Sequence, residues 1–146
     1  MFYYKNLKKK KIGERLISDM TTDSMEATAL NYKFQINDIY SNSWGPNDDG
    51  ATVEGPGTLC NKALQNGVLK GRNGYGSIFI FASGNGGMFD DNCNFDGFAN
   101  SVYTIAIGAI AHDNTKPFYS EVCSAQLAVT YSGDKKLSIV SVPIYI

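Results

Sequence analysis

Ser77-Ile78-Phe79-Ile80-Phe81-Ala82-Ser83-Gly84-Asn85-Gly86-Gly87 decides the architecture of this chain. Its first half is a run of aromatic and β-branched residues, the composition of a strand buried in a parallel sheet. Its second half is a tight, glycine-rich loop in which a strand ends. The carboxamide of Asn85 is therefore aimed out of the carboxyl end of a buried strand. A donor held there can stabilise an oxyanion that exists only in a transition state.

Helical and strand-like patterns alternate on both sides of this run. Upstream, Leu59, Ala63, Leu64 and Val68 recur at helical spacing, which predicts an amphipathic helix over about Gly57 to Lys70, ended near Gly71 and Gly74. Before it, Ile36 to Ser43 holds a brief apolar run, Ile39-Tyr40, suited to a short buried strand that stops at Trp44-Gly45-Pro46. Asn47 to Pro56 is a loop rich in Gly, Asp and Asn. Thr21-Thr22-Asp23-Ser24 offers capping chemistry for a short helix over Met25 to Leu30. Downstream, Gly84 to Gly97 reads as loop and Val102 to Ile110 as another buried strand. This alternation predicts an α/β fold with a parallel sheet flanked by helices. Ligands gather at the carboxyl ends of such strands, where Trp44, Asn85 and the loop after Ile110 all fall. Lys135 to Ile146 is apolar enough for one more strand, which Pro143 would confine to an edge.

Composition narrows the function classes. With 13 basic and 14 acidic residues the net charge is −1, which argues against a nucleic-acid partner. The 146 residues suffice for one modest domain. No stretch approaches the roughly 18 consecutive apolar residues of a membrane span. The lysines crowded into the first eleven residues have no apolar segment behind them, so residues 1–18 are expected to be a poorly structured leader and not a secretion signal. Of the three cysteines, Cys60, Cys93 and Cys123, at least one is unpaired within the chain. Cys60 falls on the predicted helix as a buried or free thiol.

Several segments, in order, carry a family likeness. Ser41-Asn42-Ser43-Trp44-Gly45-Pro46-Asn47-Asp48-Asp49-Gly50 resembles the signature of the kexin/furin proprotein convertases, a branch of the subtilisin-like serine proteases (peptidase S8). Ala82-Ser83-Gly84-Asn85-Gly86-Gly87 resembles the oxyanion segment of the same branch. Asp91 to Ser101, Tyr119 to Ser124 and Leu127 to Ser132 continue the likeness. It runs from about residue 13 to 132 and is nearest to fungal kexins.

The resemblance implies roles for particular residues. Asn85 is similar to the oxyanion-hole asparagine. Ser43, Trp44, Gly45 and Pro46 resemble the strand and turn that line the primary specificity pocket, and Asp48 and Asp96 the carboxylates that receive an arginine. Glu54, Glu26 and Phe98 resemble groove residues for side chains further upstream; the family usually has tyrosine where Phe98 stands. Asp48, Asp91 and Glu121 resemble ligands of a calcium ion, and Cys93 with Cys123 a family disulfide. The physics agrees. Paired carboxylates select a planar, permanently charged guanidinium. A hard divalent cation relieves the repulsion between carboxylates held close together.

The catalytic machinery is incomplete in the sequence. Such enzymes carry Asp, then His, then Ser, with the oxyanion asparagine between the last two. The one histidine, His112, follows Asn85 in a surface-like Ala-His-Asp-Asn loop and is not expected to be catalytic. No Gly-Thr-Ser-x-Ala segment follows Tyr131. The expected organisation is a divergent leader (1–18), the central part of a catalytic domain (19–132) and a divergent tail (133–146), as in a truncated reading frame. The expected function is a calcium-dependent serine endopeptidase that processes proproteins after paired basic residues in the Golgi or at the cell surface, here as an inactive internal fragment. A non-catalytic pseudo-protease module that binds basic peptides and calcium is the alternative.

Overall fold

The computed structural model describes residues 2–5, 10–13 and 21–139. Its helices are α1 (Asp23–Leu30) and α2 (Thr58–Lys70). Its strands are β1 (Phe2–Lys5), β2 (Lys10–Gly13), β3 (Ile39–Asn42), β4 (Ile78–Ala82), β5 (Ile105–Ile110) and β6 (Gln126–Tyr131). They form one sheet in the order β2-β1-β3-β4-β5-β6. β3 to β6 pair in parallel, with Tyr40 opposite Phe79 and Phe81 opposite Ala106. The α/β architecture with a parallel sheet is thus the one the alternating pattern predicts, and α2 lies between β3 and β4 as the crossover that parallel pairing needs.

Each strand's burial explains its pairing partner. Along β4, Phe79 and Phe81 are buried while Ile78 and Ile80 are half-buried. Both helices cover the phenylalanine side. Leu30 of α1 and Cys60, Ala63 and Leu64 of α2 form one core with Tyr40, Phe79, Phe81 and Phe98. Tyr40 stacks on Phe79 with ring centroids 4.7 Å apart, the geometry aromatic pairs favour. Its hydroxyl donates to the Tyr32 carbonyl at 2.9 Å, so the one polar atom of that ring is satisfied. Asn42 is buried at the end of β3 and donates through Nδ2 to the Ile80 carbonyl at 3.0 Å, which pins β3 to β4 where both strands reach the site.

Four elements depart from the sequence reading. Residues 2–5 and 10–13 are strands, although they lie in the expected leader. Phe2, Tyr3 and Tyr4 are good strand formers, and β1 satisfies the open edge of β3, with which it pairs antiparallel. The remainder of 1–20 lies outside the described residues. β6 was not expected as a strand. Its signal is a period of two, Leu127, Val129 and Tyr131 against Gln126, Ala128 and Thr130, but none of these six residues is buried. The last predicted strand does not form over 135–139, and 140–146 lie outside the described residues.

α1 and α2 are joined by a cap that crosses between helices. Thr22 caps α1. Asp23, read from sequence as part of the same cap, instead accepts the Leu59 and Cys60 N–H groups of α2 at 2.9 and 2.8 Å. It supplies what Gly57, the side-chain-less N-cap of α2, cannot.

The helix–sheet interface gives the first prediction. A Cβ on Gly67 of α2 would lie 2.5 Å from Cζ of Phe79. Alanine gains about 1 kcal/mol of helix propensity over glycine, but overpacking a ring that is fully buried and already stacked costs about 1–3 kcal/mol. The clash wins: Gly67→Ala is expected to lose up to about 2 kcal/mol in urea unfolding, and a stabilised variant would contradict this packing.

Candidate functional site

The loop after β4 is held by carboxylates from two other loops. The Asn85 N–H donates to Asp48 Oδ2 at 2.8 Å, and its Nδ2 makes a longer contact with the same oxygen, 3.3 Å. The Gly86 N–H donates to Glu121 Oε1 at 2.9 Å in a buried setting. The Gly87 N–H donates to the Tyr119 carbonyl at 2.9 Å. Asp48 follows β3, and Glu121 precedes β6. Gly84 has φ +101°, and any side chain there would run into the Glu121 carboxylate. At Gly86 a side chain would meet Asp91 and Glu121. Glycine is required at both because the backbone and the acids share one space. The Asn85 side chain itself stays exposed.

Asp91 completes the group. Asp48, Asp91 and Glu121 each present an oxygen, and the three oxygens lie within 4.8 Å of one another. Asp91 also accepts the Gly50 N–H at 3.0 Å, and so ties the loop after β3 to the loop after β4. Among the described residues the one ion pair is His112–Asp134, so none of their cations pairs with this cluster. Glu121 is 3% exposed. Burial first, and then the charges of Asp91, Asp48 and Asp96, push its carboxyl from the ordinary 4.5 up to about 7, against the bond from Gly86. Carboxylate oxygens are hard donors of the kind that divalent cations take.

The Cys93–Cys123 disulfide forms, with a Cα–Cα distance of 5.3 Å. Each cysteine stands two residues beyond one of these acids, so the bridge ties the Asp91 loop to the Glu121 loop. Closing a loop of 30 residues is worth about 3–4 kcal/mol in the chain-entropy model. Cys60 is the free thiol, fully buried on α2 and pushed up to about 12 by burial and by Glu26 and Asp23.

Asp96 stands beside the turn at Gly45, its Oδ2 2.8 Å from where a side chain on that glycine would begin. Its Oδ1 accepts the Phe98 N–H at 2.7 Å. Burial raises its carboxyl above the usual range, with Asp48 and Asp91 adding to the effect. Trp44 packs edge-on to Phe98 at 4.8 Å and to Phe81 at 5.4 Å, as a wall continuous with the core. Phe98 is itself 4% exposed, so it supports Trp44 from beneath. Ser43, Gly45 and Pro46 occupy the rim of the same turn. Glu54 bridges through its backbone to Asp96. Glu26 belongs to a second acidic group: burial raises its carboxyl, followed by the charges of Asp23 and Glu54. Asp23 was not singled out as a site residue; the uncapped Gly57 at the start of α2 was the signal for it. His112 pairs with Asp134 at 3.5 Å beside a surface cavity lined by Tyr131, Ser132 and Leu137, which contains none of the predicted site residues.

The profile of the subtilase family matches residues 8–142. The chain belongs to the subtilase family. The match is wider at both ends than the 13–132 over which the motifs are legible. Mouse proprotein convertase subtilisin/kexin type 7 is 58% identical over 125 residues, 86% of this chain and 16% of the relative. The dibasic-processing endoprotease of Schizosaccharomyces pombe is 57% identical over 129 residues, 88% of this chain and 18% of the relative. Animal and fungal members are thus nearly equal in likeness. The chain spans about a sixth of the length of these relatives. The solved serine protease of Aeromonas sobria shares the fold, with a TM-score of 0.65 at 18% identity over 82% of this chain and 24% of that one. No helix among the described residues of this subtilase chain is long and apolar enough to cross a membrane.

The raised carboxyl of Glu121 fixes the sign of a pH dependence. Between about 4.5 and about 7 the folded state binds a proton that the unfolded state has released. In the presence of a chelator, stability is therefore expected to fall as pH rises through that window. Urea midpoints measured across it should decline in wild type and flatten in Glu121→Gln; a rising midpoint would contradict the acid cluster.

Proposed function

We propose that this chain forms the substrate-binding and oxyanion region of a kexin-type, calcium-dependent serine endopeptidase that processes proproteins after paired basic residues. The observation that carries this reading is the convergence of Asp48, Asp91 and Glu121 on the Asn85-Gly86 backbone, with Asp96 beside the Gly45 turn. Asn85 is the oxyanion donor. Its backbone bond to Asp48 fixes the loop, while the longer side-chain contact leaves Nδ2 available to a substrate oxygen. One such donor is worth about 3–4 kcal/mol, a value that comes from subtilisin itself and not from this chain.

Trp44, Gly45 and Pro46 wall the primary pocket, Asp48 and Asp96 receive the arginine guanidinium, and Ser43 pairs with the substrate backbone. Glu54 and Glu26 favour a second basic side chain upstream, over the floor that Phe98 supports. Asp48, Asp91 and Glu121 would hold calcium, which when bound neutralises the three carboxylates and fixes their loops. The disulfide suits an oxidising compartment, in keeping with a secretory-pathway enzyme. With its one histidine engaged by Asp134, the chain is expected to bind basic peptides without cutting them. An enzyme of this type needs an Asp, a His and a Ser besides.

The chain's single tryptophan provides the test. A peptide ending in Lys-Arg, with calcium present, is expected to change Trp44 fluorescence saturably, and Asp96→Asn to weaken binding about tenfold or more. Equal binding of a neutral peptide would overturn the specificity. Calcium at about ten times its dissociation constant is expected to stabilise the fold by about 1.4 kcal/mol. Glu121→Gln should lose most of that gain, and a thermal midpoint indifferent to calcium would overturn the metal assignment.

A further inference from the structure

Asn85 precedes Gly86, Asn73 precedes Gly74 and Asn66 precedes Gly67. An Asn-Gly pair is chemically labile. The glycine nitrogen loses its proton and attacks the asparagine Cγ. The N–Cγ bond forms, the Cγ–Nδ2 bond breaks, and ammonia leaves carrying that proton. Water then opens the succinimide ring to aspartate or isoaspartate. Glycine offers no Cβ to obstruct the closure. At Asn85 the product would be an anion in place of a neutral donor, set beside Asp48.

The three pairs differ in what restrains them. Asn66 lies inside α2, with its Nδ2 donating to Asn31 Oδ1 at 2.9 Å. Asn73 is exposed, at φ +55°, and a side chain on Gly74 would meet nothing within 4 Å. Among the described residues no partner engages its side chain; the Gly74 N–H donates to the Gly71 carbonyl at 3.0 Å in a single 3₁₀ turn. Asn85 is as exposed as Asn73, yet the nitrogen that would attack it is buried and bonded to Glu121 Oε1 at 2.9 Å. The Asn85 ψ of +10° is set by the same bond together with the 2.8 Å bond from its own N–H to Asp48.

We propose that Asn85-Gly86 is a latent succinimide site that the Glu121 carboxylate holds shut by engaging the Gly86 N–H, whereas Asn73-Gly74 is left open to spontaneous conversion. Glu121 is in this sense a positioning residue that preserves a carboxamide. The inference goes beyond the proposed function and does not depend on it, since it is read by mass and not by activity.

The test incubates the full chain in mildly alkaline buffer and maps the amide-to-acid mass gain at the three sites. In wild type, Asn73 is expected to convert about fivefold faster than Asn85, because the Gly86 bond to a carboxylate is about twice as strong as the Gly74 bond to a carbonyl. Glu121→Ala, which removes the Gly86 bond outright, is expected to raise conversion at Asn85 at least about tenfold, while Asn66 stays intact. Glu121→Gln, whose Oε1 still accepts the Gly86 N–H in a neutral and so weaker bond, should fall between wild type and Glu121→Ala. Conversion of Asn85 at the rate of Asn73 in wild type overturns the proposal. So does an unchanged rate in Glu121→Ala, and so does a rise at Asn85 shared by Asn66, which marks global unfolding and not a local guard. Loss of protection in Glu121→Gln equal to that in Glu121→Ala overturns the hydrogen bond as its cause.

Discussion

Two hydrogen bonds from consecutive backbone amides, Asn85 to Asp48 and Gly86 to Glu121, organise everything around them. They join three loops that follow or precede different strands of one parallel sheet. Bonds from N–H groups to carboxylates are about twice as strong as neutral ones, but burial, and then the neighbouring acids, raise the carboxyl of Glu121, and among the described residues no cation pairs with the cluster. The arrangement is therefore strained in its electrostatics and tightly specified in its geometry. Buried clusters of that kind occur at functional sites more often than at merely structural ones.

The core transmits its rigidity to this cluster through aromatic rings. Tyr40 stacks on Phe79 under the helices, Phe81 stacks on Phe98 at 5.4 Å, and Trp44 packs against both of the latter. Trp44 is thus the outer end of the hydrophobic core, and Asp96, whose Oδ1 accepts the Phe98 N–H, is placed by that same stack. The disulfide does corresponding work where Cys93 and Ala99 form a smaller core with Ala106 of β5. β6 lacks such support, and Leu127 is 71% exposed on it.

What the sequence made legible follows from what carries a local signal. β4 and α2 were readable because an apolar run and a helical period mark them directly. The end of β3 was readable because Trp44-Gly45-Pro46 cannot continue a strand. The acids of the site were readable only through the order of motifs, since Asp48, Asp91, Asp96 and Glu121 taken singly look like ordinary loop residues. β1 and β2 were missed because a short polar-flanked strand depends on the edge it finds, a tertiary fact. β6 was missed because exposed side chains weaken the alternation that marks a strand. The role of Asp23 was missed because its partner lies 36 residues away, at Leu59. Composition could not show that Phe98 is buried and packs against Trp44.

Amide hydrogen exchange resolved at Asn85 and Gly86 tests the central claim most directly, because it reads the two backbone bonds themselves. The account predicts that Gly86 is protected to the level of the β4 amides, although it stands in a glycine-rich loop, and that Asn85 follows closely. Exchange of both amides at the rate of the exposed loop around Asn73 would contradict it.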